Sequence, residues 1–116
     1  MSLRTQIADL LTKHRLPLSD EKILQAEMAA VFEAAGIGFR REVRLGDGDI
    51  VDFMVGGCAV EVKIKGGKRS IYRQCERYCG HPEVSELVLA TNVPMSLPAE
   101  ICGKPVAVAL LGLGWL

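Results

Sequence analysis

Asp52, Glu61 and Lys63 are three ionisable residues whose spacing could do chemistry. They lie in two β-rich runs joined by Gly56-Gly57, a pair that tolerates the positive φ of a tight turn, so residues 49–65 read as a β-hairpin. With only those two residues in the turn, Val55 faces Cys58, Met54 faces Ala59, Phe53 faces Val60 and Asp52 faces Glu61. Side chains alternate along a strand, which places Asp52, Glu61 and Lys63 on one side. The other side carries Val51, Phe53, Val55, Cys58, Val60, Val62 and Ile64, an apolar surface for a core. Two carboxylates directly opposite each other repel and destabilise a strand pair. A hard divalent cation, which takes oxygen ligands and few protein groups, relieves that repulsion. The competing reading is a solvated face on which Lys63 neutralises both acids. Asp49 is a rival for the first acid, but its parity puts it on the face opposite Asp52.

Basic residues follow at once. Between Lys63 and Arg77 stand Lys63, Lys65, Lys68, Arg69, Arg73 and Arg77 against one acid, Glu76, although the whole chain has a net charge of zero. A local strip of this kind can hold phosphates while the molecule stays neutral. Arg73 and Arg77 lie one helical turn apart and suit backbone phosphates better than bases. Gln74 and Tyr78 form another such pair. The four cysteines contain no CxxC pair; Cys75-x3-Cys79-x-His81 could contribute metal ligands, but reduced core cysteines are the expectation, with no cluster.

These residues need elements to hold them. Residues 2–14 predict a first helix, with Leu3, Ile7, Leu10 and Leu11 on one stripe. Ser19 predicts an N-cap for a second helix that ends at Gly36, with Asp20 and Glu21 favourable in its first turn. Its apolar stripe is Ile23, Leu24, Met28, Val31 and Ala35, and Glu27 sits beside it, where an acid is unusual unless paired. Arg40, Arg41 or Lys63 could serve as its partner. Strands are expected at 39–45, 50–55 and 58–65 as an antiparallel meander, followed by a basic loop and a helix over 71–79 that Ser70 would cap. A buried strand at 86–91, reached by a helical crossover, should run parallel to the Glu61–Lys63 strand. A short helical turn over 96–101 and a last strand over 104–111 complete the pattern. The apolar tail, 112–116, could dock on the domain or on a second subunit.

At 116 residues, nearly half of them apolar, the chain reads as one domain, 1–116, and not as a disordered tail. The N-terminus lacks an apolar signal region and no run reaches membrane-spanning length, so a cytoplasmic protein without a membrane partner is expected.

The pattern Val51-Asp52, then Glu61-Val62-Lys63, resembles the first and second motifs of the PD-(D/E)xK nuclease superfamily, with valine in place of the first-motif proline. Matched positions run from about Glu27 to about Thr91. The two motifs alone are moderately specific, and the order of elements around them strengthens the resemblance. It implies an α/β (α+β) fold, a mixed sheet of about five strands flanked by helices with a restriction-endonuclease-like core. It also implies that a first-helix glutamate, here Glu27, reaches the metal site, and that Gln74 and Tyr78 organise the site as in the exonuclease branch. The expected activity is Mg²⁺- or Mn²⁺-dependent hydrolysis of DNA phosphodiester bonds. Asp52, Glu61 and the Val62 carbonyl would hold the ion, and Lys63 would orient water and stabilise negative charge. Lys65, Lys68, Arg69, Arg73 and Arg77 would hold duplex or branched DNA. No appended DNA-reading module is evident, which favours structure-selective cleavage, as in the dimeric Holliday-junction resolvases, or targeting by a partner. A homodimer is expected under the resolvase reading. The alternatives are a catalytically silent nucleic-acid-binding module or a nuclease subunit of a larger complex, and a cysteine-based metal or redox protein.

Overall fold

The Gly56-Gly57 turn closes the expected hairpin in the computed structural model, which describes residues 2–116. Strand β1 (Arg40–Gly46) precedes it and pairs antiparallel with β2 (Asp49–Val55), which pairs antiparallel with β3 (Cys58–Lys63). Phe53 faces Val60, Met54 faces Ala59 and Val55 faces Cys58, as the turn length requires. Gly56 takes φ 56°, the left-handed conformation needed at the first central position of such a turn. Gly57 answers a different need, because a Cβ there would lie 2.6 Å from Ser85 Oγ.

Helix α1 (Leu3–Lys13) and helix α2 (Glu21–Ala34) come before the sheet, and helix α3 (Lys68–Cys79) carries the chain from β3 to β4 (Glu86–Thr91). That crossover makes β4 parallel to β3, with Lys63 in register with Thr91. Strand β5 (Glu100–Ile101) is a two-residue edge, and β6 (Lys104–Leu110) runs parallel to β4. The sheet is mixed, six-stranded and ordered β1-β2-β3-β4-β6-β5, one strand more than expected. The extra strand replaces the helical turn expected over 96–101. There the Ala99 carbonyl accepts the Val106 N–H at 3.0 Å, across the sheet edge instead of along a helix.

Both sheet faces are covered, so the fold is α+β with two apolar layers. On one face α1 and α2 set Ile7, Leu11, Leu24, Met28 and Phe32 against Phe53, Val55, Val60, Val62, Val88 and Ala109. Phe32, Phe39 and Phe53 meet with ring centroids 5.4–5.8 Å apart, in the tilted and edge-on arrangements that aromatic quadrupoles favour. On the other face α3 sets Ile71, Cys75, Tyr78 and Cys79 against Val51, Met54, Ala59, Leu87 and Leu89.

Three local expectations change. Ile23 is 54% exposed and Phe32 is fully buried, so the inward stripe of α2 is Leu24, Met28 and Phe32. Asp20, not Ser19, caps that helix, its side chain accepting the Ile23 N–H at 3.0 Å. Helix α3 starts at Lys68, after Gly67, so Ser70 lies inside the helix and does not cap it. The C-terminal Leu111–Trp115 segment forms a 3-10 helix that packs on α1, and the Trp115 indole N–H donates to the Leu16 carbonyl at 2.9 Å. Among the described residues no helix is long and apolar enough to cross a membrane.

Candidate active site

Strand β2 stays paired with β1 but turns its side chains to the other layer at Asp52. Val51 packs with the α3 layer although Phe53 and Val55, which share its parity, pack with the α1/α2 layer. The β2–β3 pairing stops at Phe53–Val60, one step short of Asp52–Glu61. In the β1–β2 register the residue across from Asp52 is Glu42, whose φ of 50° is unusual for a residue with a side chain. The strands therefore part where the two acids stand, and side chains replace the missing ladder. The Asp52 N–H donates to Glu61 Oε1 at 3.1 Å, and the Val62 N–H donates to Asp52 Oδ2 at 2.8 Å. Each carboxylate is fixed by the backbone beside the other. Because a strand residue points its N–H and C=O to the same side, the Val62 carbonyl also faces Asp52.

Glu61 is buried, at 3% exposed, and Asp52 is half-buried beside it. Burial first, and the adjacent Asp52 carboxylate second, hold the Glu61 carboxyl well above the usual carboxylate range, while Lys63 opposes the rise. Lys63 Nζ stands 3.9 Å from Glu61 Oε2 at the rim, a loose ion pair. The bland reading of a neutralised surface patch does not describe this arrangement.

Helix α3 closes the site from behind. Its buried stripe brings Tyr78 to the sheet, where the phenol lies 3.1 Å from Glu61 Oε2 and 2.9 Å from the Ile50 carbonyl. Gln74 Nε2, one turn earlier, donates to that phenol at 2.8 Å. The structure thus brings Asp52, Glu61, Lys63, Gln74 and Tyr78 together through one connected set of contacts. Burial raises the Tyr78 pKa, as does the Glu61 charge, so this hydroxyl keeps its proton and acts as a donor.

Of the helix α2 acids, Glu21 and not the expected Glu27 lies toward Asp52 and Lys63. Glu27 is exposed, with no hydrogen bond or ion pair among the described residues to Asp52, Glu61 or Lys63. Glu21 instead stands three residues before Leu24 and seven before Met28, on the inward face at the start of the helix. Burial raises its carboxyl pKa; Lys63 lowers it, and Asp52 raises it, so Glu21 lies within the field of the site. Together with Ser19, Asp20, Ile64 and Lys65 it lines a cleft of about 420 Å³ at the end of β3. Sequence reading missed this placement because the first-turn position of Glu21 already accounted for its charge.

Of the basic residues, Lys65, Lys68, Arg69 and Arg73 are exposed. Arg77 is engaged: its Nε donates to Asp49 Oδ1 at 3.2 Å, and His81 Nε2 lies 2.8 Å from Asp49 Oδ2. Asp49, the rival acid, is thus committed to a clamp between β2 and the end of α3. The His81 hydrogen bond first, and Arg77 as well, hold its pKa below the ordinary value. Cys58, Cys75 and Cys79 are buried, and Cys102 is exposed. Burial pushes the Cys58 and Cys75 thiols up to about 12, so they behave as small apolar core groups.

The donor set fits a hard divalent cation. Among the described residues no group of three or more His, Cys, Asp or Glu side chains is placed to hold a metal. Two carboxylates and a strand carbonyl suit an ion that keeps several of its waters, as Mg²⁺ does. Burial first, and the Asp52 charge second, disfavour an ionised Glu61, and such an ion would offset both. No family model, no curated protein and no solved structure matches this chain.

Proposed function

We propose that this chain is a metal-dependent nuclease of the PD-(D/E)xK type, with a restriction-endonuclease-like core, that hydrolyses DNA phosphodiester bonds. One observation carries the reading: Asp52 and Glu61 are locked carboxylate-to-backbone where β2 leaves β3, with Lys63 two residues from Glu61. Asp52, Glu61 and the Val62 carbonyl would hold Mg²⁺ or Mn²⁺. Such an ion lowers the pKa of a water and offsets charge on the phosphate. Lys63 places a cation at the rim of the site, where it can orient water and stabilise developing negative charge. Tyr78, steadied by Gln74, fixes the Glu61 carboxylate, and Glu21 adds negative potential from α2. Lys65, Lys68, Arg69 and Arg73 form a basic margin for the DNA backbone, so affinity should fall steeply with salt. Structure-selective cleavage of branched DNA, by a homodimer, is the branch we favour.

The test is a cleavage assay on supercoiled plasmid, linear duplex, single strand and a four-way junction, with Mg²⁺, Mn²⁺ or EDTA. Metal-dependent cutting that disappears in Asp52→Asn, with folding and DNA binding retained, supports the proposal. Cutting by a folded Asp52→Asn protein would move the site elsewhere. Binding without cutting by the wild type would favour a silent nucleic-acid-binding module or a subunit of a larger complex.

A further inference from the structure

A second cleft, of about 600 Å³, lies between the start of α3 and the loop after β4, lined by Lys68, Arg69, Tyr72, Pro94, Met95 and Ser96. Its volume is in the range of roughly 300–1,000 Å³ in which small ligands are held. Its position follows from the topology. Helix α3 leaves the carboxyl end of β3, the loop leaves the carboxyl end of β4, and those two ends are neighbours at Lys63 and Thr91. The crevice beyond the carboxyl ends of parallel strands is where open α/β sheets bind ligands. Lys63, at the end of β3, belongs to the candidate active site and stands five residues before Lys68 of the cleft lining.

The chemistry of the lining is mixed in a specific way. Tyr72 packs against the α3 layer and remains half-buried, as does Met95. Lys68 and Arg69 are exposed, and neither forms an ion pair among the described residues. An aromatic ring and a thioether beside two uncommitted cations match a flat heterocycle joined to a phosphate. A paired duplex cannot offer a base face to such a cleft, whereas an unpaired strand can.

Resting on the nuclease reading, we propose that this cleft takes one unpaired nucleotide of the DNA, its base stacked on Tyr72 and its phosphate held by Lys68 and Arg69. The preferred substrate is then a strand with unpaired residues next to the scissile bond: a single strand, an overhang or an opened junction.

Binding measured by fluorescence anisotropy in EDTA, where no cutting occurs, tests this directly. The probes are a labelled short oligothymidylate and a labelled blunt duplex. The wild type should prefer the oligothymidylate. Tyr72→Leu, which keeps apolar packing but has no ring, should raise its Kd by about 5- to 100-fold with little change on the blunt duplex. Tyr72→Phe should bind as the wild type does. An oligonucleotide carrying 2-aminopurine should change emission with the wild type and Tyr72→Phe, but not with Tyr72→Leu. Lys68→Gln and Arg69→Gln should weaken binding and shallow the salt dependence. Melting curves of each variant separate a lost ring from a damaged fold. Unchanged oligothymidylate affinity in Tyr72→Leu overturns the proposal, as does an equal loss on both probes with the fold intact. A parallel plasmid assay with Mg²⁺ keeps the two readings apart. Cutting that needs Asp52 beside an indifferent Tyr72 sinks only the cleft; Tyr72-dependent binding without cutting sinks only the nuclease.

Discussion

Replacing Glu61 with Gln should stabilise the protein in the absence of metal, and the effect should grow with pH. Glu61 is buried, its carboxyl pKa lies above the ordinary 4.5, and burial followed by the Asp52 charge is the cause. The fold favours the protonated form. That preference is fully expressed below the unfolded pKa and is lost as pH rises toward the raised folded value. Glutamine copies the protonated acid: its oxygen can accept the Asp52 N–H, and its amide can donate to the Tyr78 oxygen, leaving the phenol proton for the Ile50 carbonyl. From 4.5 to 7 is about 2.5 units, and at 1.36 kcal/mol each the ceiling is about 3.4 kcal/mol. Relaxation around the part-exposed Asp52 reduces this to about 1–2 kcal/mol, a rise in Tm of about 3–10 °C for a domain of this size. Thermal melts of wild type and Glu61→Gln in EDTA, from pH 4.5 to 8, should coincide at the acid end and separate upward. Mg²⁺ at a hundred times the wild-type Kd should then reverse the order: the wild type gains about 2.7 kcal/mol, and the variant gains little. A variant less stable than the wild type at pH 8 in EDTA, or a gap that ignores pH, would refute the reasoning.

The other expectations follow from single contacts. Glu21→Gln should lower metal-dependent cleavage by about tenfold or more, as changes beside a metal site commonly do, while Glu27→Gln leaves the rate unchanged; rates on one substrate decide between them. Tyr78→Phe removes the phenol that receives the Gln74 amide and faces Ile50 and Glu61, and denaturant unfolding should show a loss of about 1–3 kcal/mol. The depressed pKa of Asp49 means that its clamp on His81 and Arg77 contributes stability above pH 3.8 that fades as pH falls through the folded value. Asp49→Asn should cost about 1 kcal/mol at neutral pH and flatten the acid limb, read by unfolding across pH 2–6.

What the sequence determined by itself was local and periodic. Two glycines set the hairpin length, and the length set the register in which Asp52 and Glu61 come one step beyond the last paired residues, Phe53 and Val60, with Lys63 on Glu61's face. The spacing of Gln74 and Tyr78 needed only the helical repeat. The long helix between β3 and β4 required their parallel pairing. What only the tertiary structure decided was which side of each element is buried and where the ladder breaks. The parting of β2 from β3 at Asp52 depends on two layers competing for Val51 and Phe53, which no alternation rule contains. The exchange of Glu27 for Glu21 has the same origin. Counting Ile23 in the α2 stripe and omitting Phe32 turns the inward face by roughly 45° at 100° per residue, enough to bring Glu27 as near to that face as Glu21. Phe32 is inward because Phe39, just before β1, and Phe53, on β2, meet it there, outside the helix itself. A helix read alone offers several nearly equal apolar stripes, and packing against the sheet selects one.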